Sequence, residues 1–113
     1  MVAAVASNAR LDLVFRALSD TTRRSILREI ATQEKTVGEI AEPYHISLAA
    51  VSKHLKVLER AGLVVREKRG SYQFVRINAK PIKEAQDWLA YYEQFWDDHL
   101  QQLQKHLTKG RKR

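Results

Sequence analysis

The sequence predicts a mostly helical α+β domain: four helices, a β-hairpin and a long closing helix. Three observations predict it. Apolar residues recur at spacings of three and four along most of the chain. Capping residues and glycines punctuate those runs. One pair of β-rich segments flanks a glycine-containing turn. The 113 residues, 44% of them hydrophobic, are the size of a single domain and can bury one modest core.

Ser7 or Asn8 is placed to cap a first helix, in which Leu11, Val14, Phe15 and Leu18 form one face. The small apolar residues before it have no basic stretch and are too short for a secretion signal, so they read as a frayed N-terminus. Ser19 and Asp20 interrupt the pattern and offer a new cap. The second helix carries Ile26, Leu27 and Ile30 inward and Arg23, Arg24 and Arg28 outward, ending near Thr32. Thr36 and Glu39 have the spacing of a capping box, which opens a short third helix with Val37, Ile40 and Ala41. Pro43 closes it. Tyr44, His45 and Ile46 form a tight turn, and Ser47 caps a fourth helix over 48–60, with Gly62 where a left-handed C-terminal cap belongs. Strands over 64–68 and 72–77 make a hairpin around Arg69, Gly70 and Ser71. Asn78 and Pro81 then open the last helix, expected to run to about Leu107. Residues 1–107 are read as one domain and 108–113 as a basic disordered tail.

A short helix, a tight turn and a well-capped second helix make the helix-turn-helix pattern. On a wheel of about 100° per residue the fourth helix buries Val51, Leu55 and Leu58, with His54 and Leu48 at the flanks. Its opposite face holds Ala49, Ser52, Lys53, Lys56 and Arg60 and no acid near its centre. A major groove admits such a helix, small residues letting the backbone approach the bases and Ser47 and Ser52 bonding to phosphates or base edges. The hairpin adds Arg66, Lys68, Arg69 and Arg76 against one acid, Glu67. Placed after a helix-turn-helix it serves as a wing, with Arg66, Lys68, Arg69 and Ser71 as its DNA-binding residues. Overall charge agrees: 20 Lys and Arg against 13 Asp and Glu give +7, which attracts polyanions.

Other classes of function are excluded or weakened. With no cysteine, disulfides, thiolate metal sites, iron–sulfur clusters and thiol switches are out. No apolar run approaches the length of a membrane span, and the basic and apolar faces do not combine into a membrane-surface helix. No glycine-rich phosphate loop, nucleophile elbow or zinc-hydrolase spacing occurs, so no catalysis is expected.

The run from Val14 to Leu27 (VFRALSDTTRRSIL) resembles the opening of ArsR-type repressors, usually written Leu-(Ser/Ala)-Asp-Pro-Thr-Arg-x-x-Ile-Leu. The stretches VGEIAE (37–42) and SLAAVSKHLKVL (47–58) look like that family's helix-turn-helix, and AGLV (61–64) and RGSY (69–72) like its wing. The resemblance spans about Leu11 to Leu107. It implies a homodimeric winged helix-turn-helix repressor that binds double-stranded DNA and releases it on a signal. Two identical recognition helices related by a two-fold axis should read an inverted-repeat operator, and an N-terminus without a signal segment is expected of a cytoplasmic protein. Two departures matter. Thr21 stands where the family has proline, and the third helix lacks the thiolate metal box, so the resemblance brings no metal sensing with it. The stretch WLAYYEQFW (88–96) resembles a metal-independent branch.

Asp97, Asp98 and His99 imitate the start of the family's zinc site on the last helix, but the position eleven residues on is Gly110. His106 is seven away from His99, two turns along the helix and too far for one ion without a partner helix. No metal and no cofactor are expected. The last helix has two adjoining apolar stripes. Ile82, Ala85, Leu89, Tyr92, Trp96, Leu100, Leu103 and Leu107 make one; Trp88, Tyr91 and Phe95 make the other. That is wider than one side of a small domain needs. One stripe is expected to face the core and the other a twin subunit. The dimer contact is assigned to Leu13, Ala17, Trp88, Tyr92, Phe95, Trp96, Leu100 and Leu103, with Phe15 able to join. Two rivals stay open: a metal- or small-molecule-responsive sensor of the same fold, with an unidentified effector, and a winged-helix protein-interaction module.

Overall fold

The computed structural model describes the backbone of residues 2–111 and the side chains of residues 9–108. The element order is α1 (Val2–Leu18), α2 (Thr21–Ile30), β1 (Lys35–Thr36), α3 (Val37–Ala41), α4 (Leu48–Arg60), β2 (Val64–Arg69), β3 (Tyr72–Ile77) and α5 (Lys80–Arg111). Helix α1 starts at Val2, so Ser7 and Asn8 lie inside it rather than capping it. The alanines ahead of them are strong helix formers and carry the helix further back.

Local chemistry sets the boundaries in the centre of the chain. The Asp20 carboxylate accepts from the backbone N–H of Arg23 at the start of α2. Thr36 and Glu39 form the reciprocal capping box of α3, and the Ser47 hydroxyl accepts from Ala50 N–H at the start of α4. Helix α4 ends in a Schellman motif: Gly62 N–H donates to Glu59 O (2.9 Å) and Leu63 N–H to Leu58 O (2.9 Å). Gly62 has φ 76°, a conformation that penalises any residue with a Cβ. The hairpin is tighter than expected. Arg69 pairs with Tyr72, leaving a two-residue turn in which Gly70 alone has positive φ, 60°.

The strand β1 was not expected. It pairs antiparallel with β3 through Lys35 and Val75, making a three-stranded sheet ordered β1-β3-β2. The sheet ties the chain before the helix-turn-helix to the wing that follows it.

The core is built from Val14, Ala17, Ile26, Leu27, Ile30, Ile40, Ala41, Val51, Leu55, Leu58, Leu63, Val64 and Val75, closed by Ala85. The expected inward faces of α2 and α4 are present in it, and that of α3 contributes Ile40 and Ala41, with Val37 partly buried against them. Ala17 is a correction. It is sealed inside its own chain, between α1 and the core, and has no surface to offer a twin.

The packing of α5 also differs from expectation. Only its first turns join the domain: Pro81 and Ala85 are buried and Ile82 partly so, and Trp88 meets Phe15 edge to face at 5.6 Å. From Gln86 onward every described side chain is exposed. Neither stripe is therefore covered by the chain's own core beyond that point. The helix also passes its expected end at Leu107 and runs to Arg111; the rest of the tail expected at 108–113 lies outside the described residues. The radius of gyration is 19.5 Å, against about 13 Å for a compact chain of this size.

Candidate nucleic-acid interface

Helix α4 buries Val51, Leu55 and Leu58 completely, and this fixes the direction of its other face. Ala49, Lys53, Lys56 and Arg60 are exposed there, and Ser52 is half-buried beside the wing. Among the described residues, none of Lys53, Lys56 and Arg60 forms an ion pair. Ser47 spends an acceptor lone pair on Ala50 N–H but keeps its proton to donate. The helix N-terminus adds backbone donors and a positive dipole end, both suited to a phosphate.

The wing's cations divide by face. In an antiparallel ladder directly opposed residues share a face, so Arg66, Lys68, Gln73 and Val75 look toward α4, and Glu67, Arg69, Phe74 and Arg76 look away. Arg66 does not reach outward as expected. Its Nε donates to Glu59 at 3.1 Å, and its other nitrogens donate to Gln73 (3.4 Å) and to the Ser52 carbonyl (3.3 Å). It is a strut between wing and α4, with only 16% of its side chain exposed.

Arg69 is likewise engaged. It grips Glu34 through two bonds, of 2.6 and 3.2 Å, donates to Glu67 at 3.0 Å, and lies over the Phe74 ring at 4.7 Å. These carboxylates, Glu34 first, raise its pKa further above the ordinary arginine value. Arg69 in turn, helped by Arg76, lowers that of Glu67. Glu34 is thus a second acid against the wing's four cations, hidden from the sequence by its distance along the chain. That leaves Lys68, exposed and without an ion pair among the described residues, as the free cation on the face toward α4, with Ser71 exposed at the tip. Between the first turn of α4, the start of α3 and the wing runs an open groove of about 390 Å³, lined by Leu48, Ala49, Ser52, Arg66, Tyr72 and Gln73 among others. Leu48 was expected beside the core but is 59% exposed.

Behind α4 the expected outward role of Arg23 is also corrected. Its guanidinium donates to the Ala17 carbonyl (2.8 Å), to the Arg16 carbonyl (3.0 Å) and to His54 Nδ1 (3.4 Å). It thus caps the C-terminus of α1 and braces the back of α4. Asp20 lies 3.8 Å from His54 Nδ1. Its carboxyl is held below the ordinary value chiefly by the Arg23 backbone N–H.

His99 and His106 both lie on exposed turns of α5. Among the described residues no three His, Asp or Glu side chains stand close enough to share a metal ion, and no helix is long and apolar enough to cross a membrane.

A capped helix pair, a free cationic face on its second helix and a hairpin strutted against that face define a winged helix-turn-helix DNA-binding domain. Comparison with known proteins agrees. A helix-turn-helix domain family matches residues 18–67. The transcriptional repressor SdpR of Bacillus subtilis is 31% identical over 87 residues, covering 77% of this chain and 97% of its own length. A solved ArsR-like transcriptional regulator from Rhodococcus sp. RHA1 superposes with a TM-score of 0.70 at 30% identity, covering 88% of this chain and 94% of that one. The solution structure of a homodimeric winged helix-turn-helix DNA-binding domain from Mycobacterium bovis gives a TM-score of 0.58 at 28% identity, with 89% and 88% covered. The chain belongs to the ArsR family of transcriptional regulators, and its lack of cysteine matches the branch without the thiolate metal box.

Proposed function

We propose that the chain is a homodimeric repressor that binds an inverted-repeat operator in the bacterial cytoplasm. The observation that carries this reading is the face of α4, where Lys53, Lys56 and Arg60 stand exposed, without carboxylate partners among the described residues, beside a wing carrying Lys68. In this reading Ala49 and Ser52 meet base edges. Ser47, Lys53, Lys56, Lys68 and Ser71 meet the backbone, and Arg66 and Arg69 hold the wing in place.

Dimerisation is supported by α5, where Trp88, Tyr92, Phe95, Trp96, Leu100 and Leu103 are all substantially exposed in the single chain. Leu13, half-buried on α1, stays with this contact; Ala17 leaves it. The homodimeric relative from Mycobacterium bovis supports the same assembly. Repression follows from occupancy, since a dimer seated over a promoter excludes polymerase. A salt titration of operator binding by fluorescence anisotropy tests the reading. With about 6–10 phosphates neutralised per dimer, affinity should fall roughly a thousandfold or more between about 50 and 200 mM salt. A flat salt dependence would contradict a DNA-backbone interface.

A further inference from the structure

Among the described residues, the large exposed apolar side chains outside α5 lie at the start of α4 and on the wing. Leu48, the first residue of α4, is 59% exposed; Ile46 just before it is 42% exposed, and Tyr72 on the wing is 64% exposed. Leu48 and Ala49 line the groove between α4 and the wing. Leu48 fills no gap in the core, which Val51, Leu55 and Leu58 close completely. An occupant over Leu48 long enough to follow α4 would pass Lys53 and Lys56, up to about two turns farther along the helix, and would lie beside the wing that carries Lys68. An apolar protein partner would have to desolvate those cations without neutralising them, at a high cost. An occupant that is anionic along its length and carries small apolar groups on its inner surface suits both parts.

Double-stranded DNA has that composition. In the major groove the exposed apolar group on a base edge is the C5-methyl of thymine. Leu48 stands at the N-terminal end of the recognition helix, the end that approaches the bases in this class of domain. We infer that Leu48, with Ala49 beside it, reads thymine methyl groups in each half of the operator. The inference rests on the DNA-binding reading above. It adds the chemistry of specificity: one part of each half-site is recognised by apolar contact rather than by hydrogen bonding.

The test uses the full chain and an operator obtained by selection from random DNA. A second copy of that operator carries uracil in place of every thymine of the half-sites. Uracil keeps the base pairing and removes only the methyl. Burial of one methyl is worth about fourfold in affinity, so two half-sites should lose about fifteenfold. Leu48→Ala, at a position so exposed that folding is undisturbed, should bind the thymine operator more weakly and discriminate thymine from uracil clearly less than the parent does. Any effect of uracil on DNA stiffness would persist in that variant, so the difference between the two proteins isolates the contact. Equal binding of thymine and uracil operators by the unmodified protein would overturn the inference and leave the DNA-binding reading intact. The same discrimination by Leu48→Ala as by the parent would overturn it too. Failure to select any DNA would overturn both.

Discussion

Trp96→Ala should split the dimer without unfolding the domain. Trp96 is 63% exposed on α5 and lies beyond the turns that pack on the core. A tryptophan carries up to about 250 Å² of surface, so about 150 Å² of it waits to be covered. If a twin covers half of that area, each protomer gains about 2 kcal/mol at about 25 cal/mol per Å². A two-fold axis applies the loss twice, giving about 4 kcal/mol per dimer, close to a thousandfold in dissociation constant. The nine large exposed side chains from Trp88 to Leu107 together present about 1,000 Å² per chain, comparable with the ~800 Å² per partner of a stable interface. Analytical ultracentrifugation over a concentration series measures the shift, and far-ultraviolet circular dichroism checks that the helices remain. An unmodified protein that sediments as a monomer at tens of micromolar, or a variant that dimerises as tightly as the parent, would refute this role for Trp96.

Lys68→Ala should flatten the salt dependence of DNA binding by about two ions per dimer, whereas Arg69→Ala should flatten it less, because Glu34 and Glu67 already hold that guanidinium; the reverse order would refute the assignment of the wing face. Arg23→Ala removes bonds to two α1 carbonyls and to His54 and should cost about 1.5–3 kcal/mol in urea unfolding; a loss under about 0.5 kcal/mol would show the brace to be idle. Asp20 has a folded pKa below its ordinary value of 3.8, so its contribution is complete above that value and is lost as pH falls through the lower folded one. Between about pH 5 and pH 2 the parent should therefore lose more urea resistance than Asp20→Asn, and parallel losses would refute the cap's electrostatic role.

What the sequence made legible was local. Thr36 with Glu39, Ser47 and Gly62 each act on backbone groups within a few residues, and the helix-turn-helix between them follows the reading almost to the residue. The two-residue strand β1 has no pattern of its own. It exists only because Lys35 meets Val75, forty residues later. The grip of Glu34 on Arg69 is hidden for the same reason, and so the wing read as more freely cationic than it is. Wheel projections failed where depth mattered. They give direction around a helix but not height along it, so Leu48, at the right angle for the core, stands past its edge. Ala17 looked like a surface residue, yet its small side chain sits fully enclosed beside the Arg23 guanidinium that binds its carbonyl. The apolar width of α5 was plain in the sequence, but how little of it the chain itself covers required the folded structure.

Selection from random double-stranded DNA, followed by sequencing of the bound fragments, tests the central claim most directly. Two identical α4 helices related by a two-fold axis should enrich an inverted repeat whose half-site centres lie one helical turn apart, about 34–36 Å, or a small multiple of it. Enrichment of a single unpaired motif or a direct repeat would contradict the symmetric dimer, and no enrichment at all would contradict the assignment of α4 as a reader of DNA sequence.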